Sequence, residues 1–488
     1  MKTRTEFLLI SMILTMMLLP DNVRAQSQPL HIGSRLQLFV DNYLLDTLDG
    51  ASLVLHHPHD KGEVLKFDQP WEGMFCGYST VIKDGDLFRL YYRGRPDGGR
   101  DGDEGETTCY AESDDGIHWR KPDLGLFKMM GTKNNNVVLA NAAPVTHNFT
   151  PFLDVHANAD SAQRFKALGG LQTSGLYALS SPDGVHWKKM TAQPVLTEKN
   201  GAFDSQNVSF WSEAEEQYVC YFRSWKKIGD TRYRSVSRTT SPDFINWSKP
   251  VEMTFGDTPW EHLYTNQTFP YFRAPHIYLA VAARFMPHRQ VLTEEQAQSL
   301  GVNPKYFKDC SDAVLMSSRG GSVYNRTFME GFITPGIGLE NWVSRTNYPA
   351  LNVVQTGPTE MSIYVNQNYA QPTACLHRYS LRLDGFSSLY AGYDGGEMLS
   401  KLFIFQGRSL LLNYSTSAAG DIRIEIQDEN GRPFPGYALA DAQPLIGNEI
   451  ERAFAWKSGD DVSALAGKPV RLRIALKDAH VYSLRFDE

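Results

Sequence analysis

Ser113-Asp114-Asp115-Gly116-Ile117-His118-Trp119 returns as Ser181-Pro182-Asp183-Gly184-Val185-His186-Trp187 and again as Ser241-Pro242-Asp243-Phe244-Ile245-Asn246-Trp247. A weaker copy runs from Ser318 to Tyr324, and a degenerate one surrounds Asp384-Gly385-Phe386. Counted from the serines, the intervals are 68, 60 and 77 residues. Asp-Gly suits a tight turn, because glycine adopts positive φ and the aspartate side chain bonds the turn backbone. The tryptophan that follows leads into the next strand and covers apolar surface.

A strand-like run precedes each copy: Phe88 to Tyr92, Arg164 to Leu168, Tyr218 to Phe222, Ile277 to Val281 and, in the fifth unit, Thr373 to Leu383. Such aromatic and β-branched runs between turn residues read as strands. One turn signature per 60–77 residues is the spacing of four-stranded blades arranged around an axis. Helical periodicity is almost absent, with Thr293 to Leu300 the best helix and an insertion in the fourth unit. From Gly395 onward the texture changes to clean alternation, as in Leu402 to Phe405, Ser409 to Tyr414, Ile422 to Ile426 and Val470 to Ile474. The expected fold is therefore all-β: a five-bladed β-propeller over residues 26–394, with an N-terminal strand segment at 32–69, followed by a β-sandwich over 395–488.

The first residues bear on the compartment. Lys2 and Arg4 precede an apolar run from Phe7 to Leu19, and Ala25 ends a small-residue cleavage pattern. Residues 1–25 read as a secretory signal peptide, so the mature chain is expected to be secreted or periplasmic, with no stable membrane insertion. The net charge of −7 is mild and mixed, and no basic stripe marks a nucleic-acid partner. Cys76, Cys109, Cys220, Cys310 and Cys375 contain no Cys-x-x-Cys pair, which argues against thiol redox chemistry and structural zinc. Cys76 and Cys109 are close enough in sequence to pair in an oxidising compartment, which the sequence leaves open. No metal-ligand spacing is diagnostic, and no cofactor is expected.

The Asp-Gly-x-x-Trp turns, Leu38-Phe39-Val40-Asp41-Asn42-Tyr43-Leu44 and Asp204-Ser205-Gln206-Asn207 together resemble the invertase, levansucrase and arabinanase superfamily of glycosidases. More narrowly, the chain is similar to proteins described as glycosyl hydrolase family thirty-two N-terminal-like. The resemblance implies an exported glycoside hydrolase acting on a poly- or oligosaccharide. It does not carry fructosidase specificity over, because the invertase motifs Trp-Met-Asn-Asp-Pro-Asn-Gly, Arg-Asp-Pro and Glu-Cys are absent.

Hydrolysis of a glycosidic bond ordinarily uses two carboxyl groups flanking it. In a propeller these come from the starts of inner strands, where several blades converge. Asp204, Glu261 and Glu360 lie at such positions in three different units, so Asp204 is expected as nucleophile or base and Glu261 or Glu360 as acid. Asp41, Glu72, Asn207, His262, Asn266, Arg93 and Arg345 are the candidate substrate-binding residues. His147, Asn148 and Asp154 form the corresponding cluster of the second unit. Arg93, Arg223, Arg273, Arg284 and Arg345 suit an acidic or sulfated glycan, and Trp71, Trp225 and Trp260 suit stacking on sugar faces. Two other readings stand beside hydrolysis: a non-catalytic glycan-binding propeller and a glycoside phosphorylase.

Overall fold

In the computed structural model, which describes residues 28–199 and 201–487, five antiparallel sheets follow one another along the chain. The first blade comprises Gly77–Asp84, Leu87–Gly94, Thr107–Ser113 and Val137–Leu139. The second comprises Thr150–Leu153, Phe165–Leu171, Gly175–Ser181 and Lys188–Lys189. The third comprises Val208–Ser212, Gln217–Ile228, Thr231–Ser241 and Val251–Glu252. In the fourth, Leu263–Thr265 and Thr268–Tyr271 form the inner edge before Ala274–Met286 and Cys310–Ser318. The fifth has Tyr348–Pro349 and Val354–Gln355 inside, then Glu360–Gln367 and Cys375–Arg382, and its outer strand is His59–Lys66 from the start of the chain. That last pairing joins the two ends of the ring. The protein is a five-bladed β-propeller. The helix Glu294–Ser299 is inserted in the fourth blade and starts with a capping box made by Thr293 and Gln296.

The repeated turn has the same geometry in its three full copies. Oδ1 of Asp115 accepts from the backbone N–H groups of Ile117 and His118 at 2.7 and 2.8 Å, and Asp183 and Asp243 make the equivalent pairs. The serine hydroxyl receives the glycine N–H at 2.9 Å in the first two copies. Gly116 and Gly184 have φ of 73° and 79°. A Cβ on Gly184 would stand 2.5 Å from the Tyr91 hydroxyl, which donates to the Gly184 carbonyl at 2.9 Å from the preceding blade. Tyr364 does the same for Gly116, so the fifth blade is tied to the first by the same contact. Trp187 closes the joint edge-on to Tyr91 and Phe149.

The boundary of the second domain differs from the sequence expectation. Leu30–Gly33, Gln37–Leu38, Leu45–Asp49 and Ala51–Leu55 pair with strands from 387–487, not with a blade. Ser387–Ala391, before the expected boundary at 395, also lies in this ten-stranded sheet. Within the N-terminal segment only His59–Lys66 belongs to the propeller. The cause is pairing between chain ends, which local alternation does not encode: the long strands Ser409–Gln427 and Pro469–Asp487 need partners at their edges. The sheet wraps a core of its own that includes Phe39, Leu412, Ile424, Trp456, Ile474 and Phe486. Asp384, fully buried, joins the two units by accepting from Tyr271 at 2.7 Å on the propeller and from Asn413 and Ser483 at 3.0 and 2.7 Å on the other side.

All five cysteines are buried and unpaired, so Cys76 and Cys109 form no disulfide. Asn207 and Asn266, which begin Asn-x-Ser/Thr triplets, are buried and unavailable for glycosylation in the folded chain. Among the described residues no helix is long and apolar enough to cross a membrane. The expected signal peptide lies outside them.

The turn aspartates set an acid limit on the fold. Burial opposes their ionisation, but the backbone N–H groups and the neighbouring His or Asn outweigh it. Asp115 and Asp183 are thereby held well below the usual carboxylate range, and Asp243 falls to about 2. A carboxyl lowered by folding contributes stability above its unfolded value of about 4, which is lost as pH falls through the folded one. Replacing all three by Asn is expected to lower the urea midpoint at neutral pH and to shrink the further fall between about pH 4 and pH 2.

Candidate functional site at the polar end of the channel

The five inner strands converge on one channel. Non-glycine residues with positive φ stand where four of them begin: Tyr78 at 53°, Asn148 at 48°, Gln267 at 46° and Asn347 at 65°. Phe203, at 46°, introduces the segment leading to the third. Such conformations cost about 1–3 kcal/mol each and persist where the surroundings hold them. Midway along, Gln206 donates to Ser79 O and Thr80 Oγ1 at 3.2 and 3.0 Å. Gln267 in turn donates to Gln206 Oε1 at 2.6 Å and to Pro349 O at 2.8 Å. This amide belt links four blades. Beyond it the channel opens on an apolar hollow of about 200 Å³ that includes Val81, Phe152, Phe210, Phe269 and Leu351. Before it the lining is polar and charged.

At that polar end Tyr78, Tyr264 and Tyr348 pack together with Phe285. Four guanidinium groups lie over these rings. Arg93 is 4.7 Å from Tyr78; Arg223, Arg234 and Arg345 are 4.6, 5.2 and 5.3 Å from Tyr264. Arg223 forms an ion pair with Asp204, whose side chain is 37 % exposed and faces solvent. Arg93 is shared among Glu106 at 3.5 Å, the Phe75 carbonyl and the Tyr369 hydroxyl. Among the described residues neither Arg234 nor Arg345 pairs with a carboxylate. Arg234 Nε has no hydrogen-bond partner, and Arg345 Nη1 reaches the Tyr306 hydroxyl at 3.4 Å. Burial and the charge of Arg223 lower the Arg234 pKa, as expected for cations crowded without an anion.

Burial also acts on the three phenols, with opposite outcomes. It pushes Tyr78 and Tyr348 well above their usual range, and the charge of Tyr264 adds to the effect. Tyr264 itself would rise on burial, but Arg345, Arg223 and Arg234 outweigh that and bring it down to about 8. Around these rings several buried polar atoms make no hydrogen bond within the protein: both side-chain atoms of Asn207, Asn148 Oδ1, Ser205 Oγ, Asn347 Oδ1, and Nε and Nη1 of Arg223. Unpaired buried groups are rare in folded proteins, and a cluster of them at a channel mouth marks a place for a polar ligand.

Beside the mouth, Asp101, Glu106 and His147 bring ligand-type atoms within 4.8 Å of one another. Asn148 Nδ2 donates to His147 Nε2 at 3.0 Å, which leaves Nδ1 as the donor to Glu106 at 2.8 Å. Both imidazole nitrogens are thus engaged. Burial would raise Glu106, yet the His147 hydrogen bond and Arg93 hold it below the usual range. This cluster reads as an ion network supporting Arg93 and Arg95, not as a metal centre.

Of the residues expected from sequence, Asp204, Asn207, Arg93 and Arg345 stand at the mouth. Asn266 lies just beneath, bonding Thr268 N and Tyr221 O. Glu261 and His262 line a neighbouring cavity of about 640 Å³ between the third and fourth blades, with Tyr233, Trp260 and Trp342. There Glu261 is held by Arg284 at 2.7 Å and Arg326 at 2.9 Å, and His262 accepts from the Arg234 N–H at 3.3 Å. Burial and Arg234 lower the His262 pKa.

Three residues are elsewhere. Glu360 begins the second strand of its blade, and the strand's far end, Asn366, pairs with Tyr348 at the mouth, so Glu360 is at the opposite rim, bonded to Arg378. The inner strand of that unit is the earlier Tyr348 to Gln355, interrupted and weakly patterned, and the stronger run after Glu360 hid it. Asp41 forks onto Arg319 at 2.9 and 3.1 Å near the junction with the second sheet. Glu72 is wholly buried under the first blade, bonded to Tyr92, Gln69 N and Lys121. Sequence reasoning missed Tyr78, Tyr264, Tyr348 and Arg234. The signal of the three tyrosines was position, at or just after the inner-strand starts, but an aromatic there reads by default as core, and Arg234 lies on the third strand of its blade.

No protein-family model matches the chain, and no curated protein matches it. Solved structures similar to it include an N-acetylgalactosamine deacetylase from F. plautii in complex with blood group B trisaccharide, at a TM-score of 0.42 and 12 % identity over 68 % of this chain and 96 % of that one. A fructofuranosidase from Schwanniomyces occidentalis complexed with fructosylnystose gives 0.39 and 10 % over 87 % and 97 %. The β-1,2-mannobiose phosphorylase from Listeria innocua gives 0.40 and 9 % over 68 % and 97 %. Likeness at this level bears on neither substrate nor mechanism.

Glu261 and Glu360 are held in ion pairs away from the mouth. Glu261→Gln leaves Arg326 without its anion, while Arg284 keeps Asp312, and is expected to lower unfolding free energy by about 2 kcal/mol in urea titrations. Glu360→Gln, at a partly exposed pair, is expected to stay within about 1 kcal/mol and to leave glycan binding unchanged.

Proposed function

We propose that the protein is an exported, carbohydrate-active enzyme that cleaves a glycosidic bond in an acidic poly- or oligosaccharide at the polar end of its propeller channel. What carries the reading is the guanidinium cluster. Arg234 and Arg345 have no carboxylate partner among the described residues, and Arg223 keeps two unbonded nitrogens beside them. Planar guanidinium groups suit the carboxylate or sulfate of an acidic sugar. The unbonded Oδ1 atoms of Asn148 and Asn347, the Ser205 hydroxyl and the Asn207 amide supply the convergent donors and acceptors that sugar hydroxyls require. Asp204 is the candidate acid or base, being the one of the three carboxylates expected from sequence that stands at this mouth.

Phosphorolysis is the second reading. A basic site next to a single solvent-facing acid favours it, since the same arginines fit inorganic phosphate. The test is product release from matched neutral, uronate-bearing and sulfated polysaccharides, with and without phosphate, by wild type and Asp204→Asn. Release confined to acidic polymers, independent of phosphate and reduced about a hundredfold or more in a folded Asp204→Asn, is the expected result. Release that requires phosphate selects the second reading, and equal release from neutral polymers overturns both.

A further inference from the structure

A pair of carboxyls working on one bond needs one that stays protonated at neutral pH. The mouth offers the opposite setting. Asp204 is paired with Arg223, and Glu106 lies between Arg93, Arg95 and His147. Burial would raise Glu106, but His147 and Arg93 hold it below the usual carboxylate range, and Asp204 is engaged by Arg223, which lies over Tyr264.

Elimination next to a carboxylate calls for different groups. A cation must neutralise the carboxylate, so that the adjacent C–H can lose its proton. A base must take that proton, and a donor must protonate the departing oxygen. Resting on the reading that the mouth receives an acidic glycan, we infer that it cleaves a uronate-containing chain by β-elimination: Arg234 and Arg345 bind the uronate carboxylate, Tyr264 removes the proton from the carbon beside it, and Tyr78 protonates the departing glycosidic oxygen.

The electrons balance without water or an oxidant. The C5–H pair becomes the C4–C5 double bond, and the C4–O bond breaks with its pair on oxygen, which takes the Tyr78 proton. The proton held by Tyr264 is exchanged with solvent, and Tyr78 is reprotonated. The products are a new non-reducing end with a 4,5-unsaturated uronate and an intact reducing end.

The placement of the groups supports these roles. Tyr264 has three guanidinium groups within 4.6 to 5.3 Å of its ring, from the two central strands of the third blade and from the loop before Tyr348. They favour its phenolate, and its pKa comes down to about 8 although it is buried. Tyr78, packed in the same cluster, is pushed the other way by burial and keeps its proton. The two phenols belong to one packed cluster, with three guanidinium groups over Tyr264 and one over Tyr78, so Tyr264 is placed to act as the base and Tyr78 as the acid. Tyr348 and Arg93 complete the titratable and charged groups facing the pair, with Tyr306 and Tyr369 around Arg345.

The experiment uses the full chain on polygalacturonate and alginate and on their carboxyl-reduced forms, in heavy-oxygen water. Ultraviolet absorbance of the conjugated product and reducing ends are followed together. Expected are equal amounts of unsaturated ends and reducing ends, no heavy oxygen in product, and no reaction of the carboxyl-reduced polymers. kcat/KM is expected to rise with pH through about 8, because the base works deprotonated. Tyr264→Phe should bind the polymer as wild type does but lose activity by about a hundredfold or more.

Reducing ends carrying heavy oxygen, with no ultraviolet product, would overturn elimination while leaving acidic-glycan cleavage intact. Full activity in Tyr264→Phe would also overturn it. Binding without release would leave the recognition and remove the reaction. Neither binding nor release on any acidic polymer would remove both readings.

Discussion

A propeller stands or falls on how one blade grips the next, and here the grip is a hydrogen bond from a tyrosine hydroxyl to a glycine carbonyl. Tyr91 reaches Gly184, and Tyr364 reaches Gly116. Both glycines must be free of a Cβ, because the phenol oxygen occupies the space where it would stand. The aspartate and serine of each turn hold the carbonyl in place by tying up the surrounding N–H groups. The turn repeat is thus an inter-blade joint as much as a local bend. Its third copy, with Phe244 at φ 66°, keeps the aspartate bonds and replaces the tyrosine contact with packing against Phe152 and Tyr218.

Rigid joints let the channel mouth hold an arrangement that opposes folding. Crowded guanidinium groups repel one another, positive φ at non-glycine residues is strained, and buried amides without partners are costly. All three occur around Tyr264. Burial of aromatic and aliphatic side chains across the blades offsets them. An acidic sugar, the substrate proposed for this mouth, carries an anion and hydroxyl groups that complement the guanidinium groups and the amides. The other end of the channel is a largely apolar hollow without crowded guanidinium groups.

The second domain is built from both chain ends, and this bears on the site indirectly. Residues 30–55 pair with the C-terminal sheet before His59–Lys66 enters the fifth blade, so the ring is closed by a strand anchored on the neighbouring unit. Asp384 and Arg382 reinforce that junction through Tyr271, Asn413 and the backbone at Tyr414 and Glu449. The inner strand of the fifth blade, which positions Asn347 and Tyr348, is held by the same blade that this closure completes.

By itself the sequence determined the number of blades, since the Ser-x-Asp-Gly-x-x-Trp turn is local chemistry and recurs once per unit. It likewise determined the second strand of the first four blades and the third of the fifth, the inserted helix, and Asp204 and Asn207 near an inner-strand start. Three things waited for the tertiary structure: the fifth inner strand, the assignment of residues 30–55 to the far sheet, and which of the acids stands at the mouth. Glu261, Glu360, Asp41 and Glu72 look alike in sequence, as polar groups beside strands. Which of them finds an arginine, a tyrosine or solvent depends on residues tens to hundreds of positions away. The tyrosines of the mouth and Arg234 were hidden for the same reason: local pattern decides turns and strand periodicity, whereas charge environment is set by which strands meet across the ring.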